Sequence, residues 1–237
     1  DIQLHMHTEW ADEAREPILP SPMGKRQFLK NFSEEDQRFL VGFAAQLLTR
    51  AGAQRPRAFR AGSFGFNADT LGALESNGLV VDASYNATLH GPESGVSPGT
   101  MLIDSCRIGQ IYELPMTVFM DGTRRMRHLQ LTACSWQEME QVLWGALHAG
   151  LRSVVILWHG SELLDRSRKM PNPFVVARFR KLCEFLGRHR ESFKVRNLDE
   201  WTPRDGAAST APIAVGPWPT AIRLYEQVLG RAMTRSA

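Results

Sequence analysis

The segment Val154-Val155-Ile156-Leu157-Trp158 is an unbroken apolar run that ends on His159 and opens into polar Gly160-Ser161-Glu162. A short, β-branched run of this kind predicts a strand buried on both faces. Such strands belong to sheets or barrels covered by helices, where chemistry sits at the C-terminal strand ends. His159 occupies such an end. An imidazole there is either a satisfied polar end-group or a general acid/base, and the run alone leaves both open.

The remaining pattern alternates strands with helices. Ile2 to His5 reads as the end of a strand, followed by an irregular, proline-containing stretch over 8–32, long enough to suggest a lid or functional loop. Ser33 caps a helix running to Ala51, with Phe39, Leu40, Phe43, Leu47 and Leu48 expected inward. A strand at Arg57-Ala58-Phe59 leads to Arg60 and a glycine-containing loop. Asn67 then caps a helix over 69–76, and Leu79-Val80-Val81-Asp82 reads as the next strand. Strands are also expected over 111–117, 128–133 and 193–195, with helices over 136–149, 173–190 and 220–235. This succession predicts an α/β fold with a mostly parallel sheet or barrel. Residues 202–219, rich in Ala, Pro and Gly, read as a linker.

Composition narrows the function. A net charge of +3 is too weak a basic balance to argue for nucleic acid, and Arg124-Arg125-Met126-Arg127 reads as a solvated loop. No apolar run is long enough to span a bilayer, and no signal peptide is visible. The three cysteines lack metal-type spacing, and an odd number argues against a disulfide framework. The chain opens on Asp1-Ile2-Gln3-Leu4 within a strand-like run, which leads to the expectation of further residues upstream.

Four strand ends carry reactive side chains. His5 and His7 stand two residues apart, so on a strand both imidazoles face one side. Nitrogen ligands at this spacing suit zinc or iron, and Glu9 adds a carboxylate. Two metal-free loop histidines are the plainer alternative. Arg60 offers a guanidinium for a carboxylate or substrate oxygen, or a structural salt bridge. Asp82 ends its strand as a histidine-orienting acid or as a simple cap. On an α/β scaffold, this order of strand-end residues resembles an active site.

With those residues in place, the chain resembles the polysaccharide deacetylases of the NodB-homology type (carbohydrate esterase family 4), over Asp1 to about Trp201. Asp1-Ile2-Gln3-Leu4-His5 is similar to the motif ending in the first metal-binding histidine. Phe59-Arg60-Ala61-Gly62-Ser63-Phe64-Gly65 and the following helix resemble the arginine motif. Leu79 to Ser84 resembles the next strand, Glu113-Leu114-Pro115-Met116-Thr117 the proline-containing strand, and Leu157-Trp158-His159 the Leu-x-His motif. The resemblance implies a distorted (β/α) barrel of about seven strands, with 1–201 as the deacetylase-like domain and 202–237 as linker and C-terminal helix. It implies a divalent metal, commonly zinc, on His5 with His7 or Glu9 as partner. It implies His159 as proton donor to the leaving amine, Arg60 as holder of an aspartate base and Asp82 as tuner of His159. Trp158, Phe64 and Phe66 would wall an N-acetylated glycan substrate.

Two departures stand out. The family's Asp-Asp motif occurs nowhere in the chain and is expected upstream, and Glu9 occupies the place where the family usually has its second histidine. A PHP-type phosphoesterase or an amidohydrolase also opens on His-x-His, but these need further metal ligands later, in the PHP group a C-terminal Asp-x-His that this sequence lacks, and they give Arg60 and His159 no role. A non-catalytic carbohydrate-binding relic of the same fold is the non-enzyme alternative.

Overall fold

A computed structural model describes residues 1–19, 25–165, 169–202 and 211–235, with side chains for all of these except 10, 12 and 231–235. The described residues form a mixed α/β protein with two sheets and five α-helices. It divides into two compact units, Asp1–Pro115 with Arg196–Thr210 and Met116–Val195 with Ala211–Ala237.

The first unit is built on a five-stranded sheet: β1 (Leu4–Met6), β2 (Ala58–Ala61), β3 (Val81–Asp82), β5 (Ile111–Glu113) and β4 (Cys106–Ile108), in that spatial order. The first four run parallel, and β4 closes the edge as an antiparallel hairpin with β5. The parallel steps are possible because α1 (Glu34–Arg50) connects β1 to β2 and α2 (Ala68–Ser76) connects β2 to β3. Register aligns Leu4, Phe59, Asp82, Glu113 and Cys106 in one row across the sheet. His5 and Arg60 form the next row, so they point to the opposite face.

Both helices start where the sequence predicts. The Ser33 hydroxyl accepts the Asp36 amide, and Asn67 makes a full reciprocal box with Thr70. The inward face of α1 differs from expectation. Gln37, Leu40 and Val41 are buried, whereas Phe39 and Leu47 are about half exposed. The reason is a polar cross-link. The Gln37 amide donates to the Phe32 carbonyl and to Asn67 Oδ1, and Thr70 Oγ1 donates to Gln37 Oε1 at 2.6 Å. A glutamine satisfied at both ends turns the helix away from the face that counting apolar residues selects.

The second unit has a three-stranded sheet in the order β7 (Met126–His128), β6 (Val118–Met120), β8 (Ile213–Ala214), with α3 (Trp136–His148), α4 (Pro173–Arg188) and α5 (Pro217–Arg235). β8 lies within the stretch expected to be linker, of which 203–210 fall outside the described residues. Trp144 of α3 packs against Phe185 and His189 of the α4 end and against Phe193, with ring centroids 4.9–5.4 Å apart. Phe193 packs into this cluster, Val195 is exposed, and residues 193–195 form no strand. Buried Arg223 of α5 lies 2.8 Å from Asp121 Oδ2 and 3.0 Å from Glu138 Oε1, tying α5 to the β6 end and to α3.

The apolar run at 154–158 is extended but is not the doubly buried strand it predicts. It is half buried, and its one backbone bridge joins Leu157 to Gln130. The ladder stops because the partner turns at once, with the Ala133 and Cys134 amides both donating to the Gln130 carbonyl. The Val155 amide donates to Thr117 Oγ1 at 2.8 Å in place of a strand partner. No helix among the described residues is long and apolar enough to cross a membrane.

Candidate functional site

His5 lies on β1 and His7 just beyond its end, and their rings meet edge to face with centroids 4.8 Å apart. His5 Nδ1 lies 2.8 Å from the Arg60 carbonyl oxygen, its register partner on β2. A carbonyl only accepts, so Nδ1 carries the proton in this contact. His7 Nδ1 lies 3.1 Å from Glu9 Oε1, which fixes the same tautomer. An oxygen acceptor on one ring nitrogen is the usual support for an imidazole that ligates metal through the other. Glu9 therefore sits behind His7 as an orienting carboxylate. His5 and His7 supply two nitrogens of a type that fits zinc, half of a four-coordinate shell. Among the described residues no group of three or more His, Cys, Asp or Glu converges on one point.

The loop after β2 is pressed against this pair. A Cβ on Gly62 would lie 2.8 Å from His7 Cγ and Nδ1 and from the Met6 carbonyl oxygen, so only glycine lets the ring seat there. Ser63 and Phe64 follow with φ of 51° and 58°. Two consecutive non-glycine residues in the left-handed region cost roughly 1–3 kcal/mol each, and such strain concentrates at functional loops. Arg60 shares the sheet face of His5. Its guanidinium carbon lies 5.8 Å from the Phe64 ring centroid, and burial lowers its pKa from the ordinary guanidinium value. Among the described residues Arg60 has no hydrogen-bonded or ion-paired carboxylate, so this cation faces the histidine side of the sheet without an anionic partner.

Asp82 stands on the other face and is fully buried. Its Oδ1 accepts the Ser84 hydroxyl at 2.6 Å, and Ser84 Oγ in turn accepts the Ala61 amide, locking β3 to β2. Beside it in register lies Glu113, also fully buried, with Oε1 accepting the Tyr85 amide. Counted as two carboxylates, Asp82 Oδ2 and Glu113 Oε2 would each lack a donor. One proton held by Glu113 and donated to Asp82 satisfies both. Burial, then the Asp82 charge, pushes Glu113 well above the usual carboxylate range. Burial pushes Asp82 up to about 6, against hydrogen bonds from Glu113 and Ser84. Neither side chain reaches a ligand from this position. Glu113 was not among the sequence candidates, although alternation along Ile111-Tyr112-Glu113 places it on the inward face.

In the second unit His159 precedes the short 3-10 turn Gly160–Leu163 and is about half exposed. The carboxylate that meets it is Glu162, with Oε1 2.9 Å from His159 Nδ1. Trp158 is 40% exposed and its ring leans on Phe179, with centroids 4.7 Å apart. Phe64 and Phe66 are buried in the first unit, their rings committed to its core rather than offered to a ligand. Compared with protein-family models, curated proteins and solved structures, the chain matches none.

Proposed function

We propose that the chain belongs to a metal-dependent hydrolase. Within that class, its reaction is removal of N-acetyl groups from the amino sugars of a glycan, on a distorted (β/α) barrel. The observation that carries the reading is the His5–His7 pair, two imidazoles edge to face, each with Nδ1 on an oxygen acceptor. The parallel run β1-β2-β3-β5 supports the barrel.

His5 and His7 would hold the metal, with zinc favoured by their nitrogen donors. Bound there, the metal would supply Lewis acidity toward the amide carbonyl and its attacking water. Glu9 keeps the His7 ring in its ligating tautomer. Arg60, without an anionic partner among the described residues, would hold the aspartate base of the resembling family on the histidine face of the sheet. His159, at the position of the resembling family's Leu-x-His histidine, is assigned as proton donor to the leaving amine, since an amine expelled without a proton is a poor leaving group. Trp158 offers an exposed apolar face of the kind on which sugar rings stack. The aspartate base of the resembling family has no counterpart in this sequence, so the reading assigns that role to none of these residues.

The test is acetate release from N-acetylglucosamine oligomers by the purified protein, with and without added zinc or cobalt. The reading expects metal-dependent release that is lost in His5→Ala and His159→Ala. Glycan binding without release under either metal identifies a carbohydrate-binding domain instead.

A further inference from the structure

Glu162 is the side chain most deliberately placed around His159. It lies on the first turn after the histidine, with its amide donating to the His159 carbonyl at 2.9 Å. Its side chain is only 17% exposed, whereas that of His159 is 48% exposed. Three donors converge on the carboxylate: His159 Nδ1 and Gln130 Nε2 on Oε1, at 2.9 and 2.7 Å, and Thr132 Oγ1 on Oε2 at 3.2 Å. Gln130 is itself oriented, because its Oε1 lies 3.1 Å from His128 Nε2. With that oxygen turned to His128, the amide nitrogen can only face Glu162. The loop carrying Thr132 is pinned in turn by Arg178, whose Nη1 donates to the Leu131 and Thr132 carbonyls. A carboxylate held by three donors is fixed in place, and because it only accepts, the His159 nitrogen that faces it carries the proton.

We propose that Glu162, seated by Gln130 and Thr132, is the positioning residue of His159, holding the Nδ1–H tautomer and directing Nε2 outward as the proton-transferring nitrogen. This inference rests on the reading of His159 as proton donor. It assigns the orienting carboxylate to the 3-10 turn rather than to Asp82, which is occupied by Ser84 and Glu113. An unrestrained neutral imidazole in water favours the proton on Nε2, so the lock has a spectroscopic signature that activity does not.

The experiment is a long-range 1H–15N correlation spectrum of the histidine rings in the labelled chain, with His159 assigned by its loss in His159→Ala. The wild type is expected to show Nδ1–H at His159. Glu162→Leu should release it toward the Nε2–H form. Glu162→Gln should keep Nδ1–H, because a glutamine oxygen can still accept from His159 and Gln130 while its amide donates to Thr132. In the acetate-release assay, Glu162→Leu should lower kcat roughly 10–100-fold with KM unchanged, and Glu162→Gln should fall less. An unchanged tautomer in Glu162→Leu, or Nε2–H in the wild type, overturns the assignment of Glu162. Tautomers as expected, with full activity in His159→Ala, leave the lock standing and overturn the proton-donor reading instead.

Discussion

The buried pair Asp82–Glu113 predicts an unusual pH dependence, which Asp82→Asn isolates. No lysine or arginine contributes to holding either carboxyl, so ionising the pair inside the sheet is costly. Burial pushes the Asp82 carboxyl from its ordinary value of 3.8 up to about 6 in the fold. A carboxyl raised by folding contributes stability that is fully present below the unfolded value and is lost as pH rises through the folded one. The rise corresponds to about 3 kcal/mol, at about 1.4 kcal/mol per tenfold change, most of it lost between about pH 4 and pH 6. Asparagine at 82 keeps the geometry. Its oxygen still accepts from Ser84, its amide donates to Glu113, and nothing at the position ionises. Urea denaturation followed by circular dichroism, with hydrogen exchange of the β3 and β5 amides locating the effect, measures the difference. The two proteins should match near pH 4, and Asp82→Asn should be more stable by about 3 kcal/mol near pH 7. A variant less stable at every pH, with the wild-type slope intact, would refute the shared-proton account and require an unseen cation beside Asp82.

Other consequences follow from the same contacts. Cobalt titration read by absorbance should show binding that His5→Ala and His7→Ala abolish, while Glu9→Gln weakens it by roughly 10–100-fold through loss of the ring support. Gly62→Ala should weaken cobalt binding as well, since its Cβ displaces the His7 ring, and an unchanged affinity would show that the ring does not seat there. Arg223→Met should destabilise the chain by about 3–5 kcal/mol in thermal or urea unfolding, because it strands two buried carboxylates. Asp121, beside Arg223, acts in the opposite sense to Asp82. Burial raises it, but hydrogen bonds from Thr123 and Arg125, with the charge of Arg223, outweigh burial and lower it. Its contribution is therefore present above the ordinary aspartate range and lost as acid drives pH down through the folded value.

What the sequence shows best is what local chemistry decides. Ser33 and Asn67 cap the helices that they are expected to cap, because a short side-chain oxygen three residues before a free amide needs no tertiary context. The strand ends at His5, Arg60 and Asp82 were readable for a similar reason, since β-branched and aromatic runs announce themselves. Long-range pairing was not readable. The run at 154–158 has the composition of a central strand, yet its partner segment turns away after one bridge, and that turn is set by residues 129–134. The face of α1 was missed because a core glutamine with both ends satisfied looks like a surface residue in sequence. Glu113 and Glu162 were passed over for the same reason: a glutamate announces neither its burial nor its partner. Only register puts Glu113 beside Asp82, and only the turn at Gly160–Leu163 brings Glu162 onto His159.

We propose that His5 and His7 serve a metal-dependent deacetylation, and the test is acetate release from N-acetylglucosamine oligomers by the protein after metal removal and again after readdition of zinc. The account predicts that release stops on chelation, returns with zinc, and does not return in His5→Ala. Release that survives complete chelation, or that is equal in wild type and His5→Ala, contradicts it.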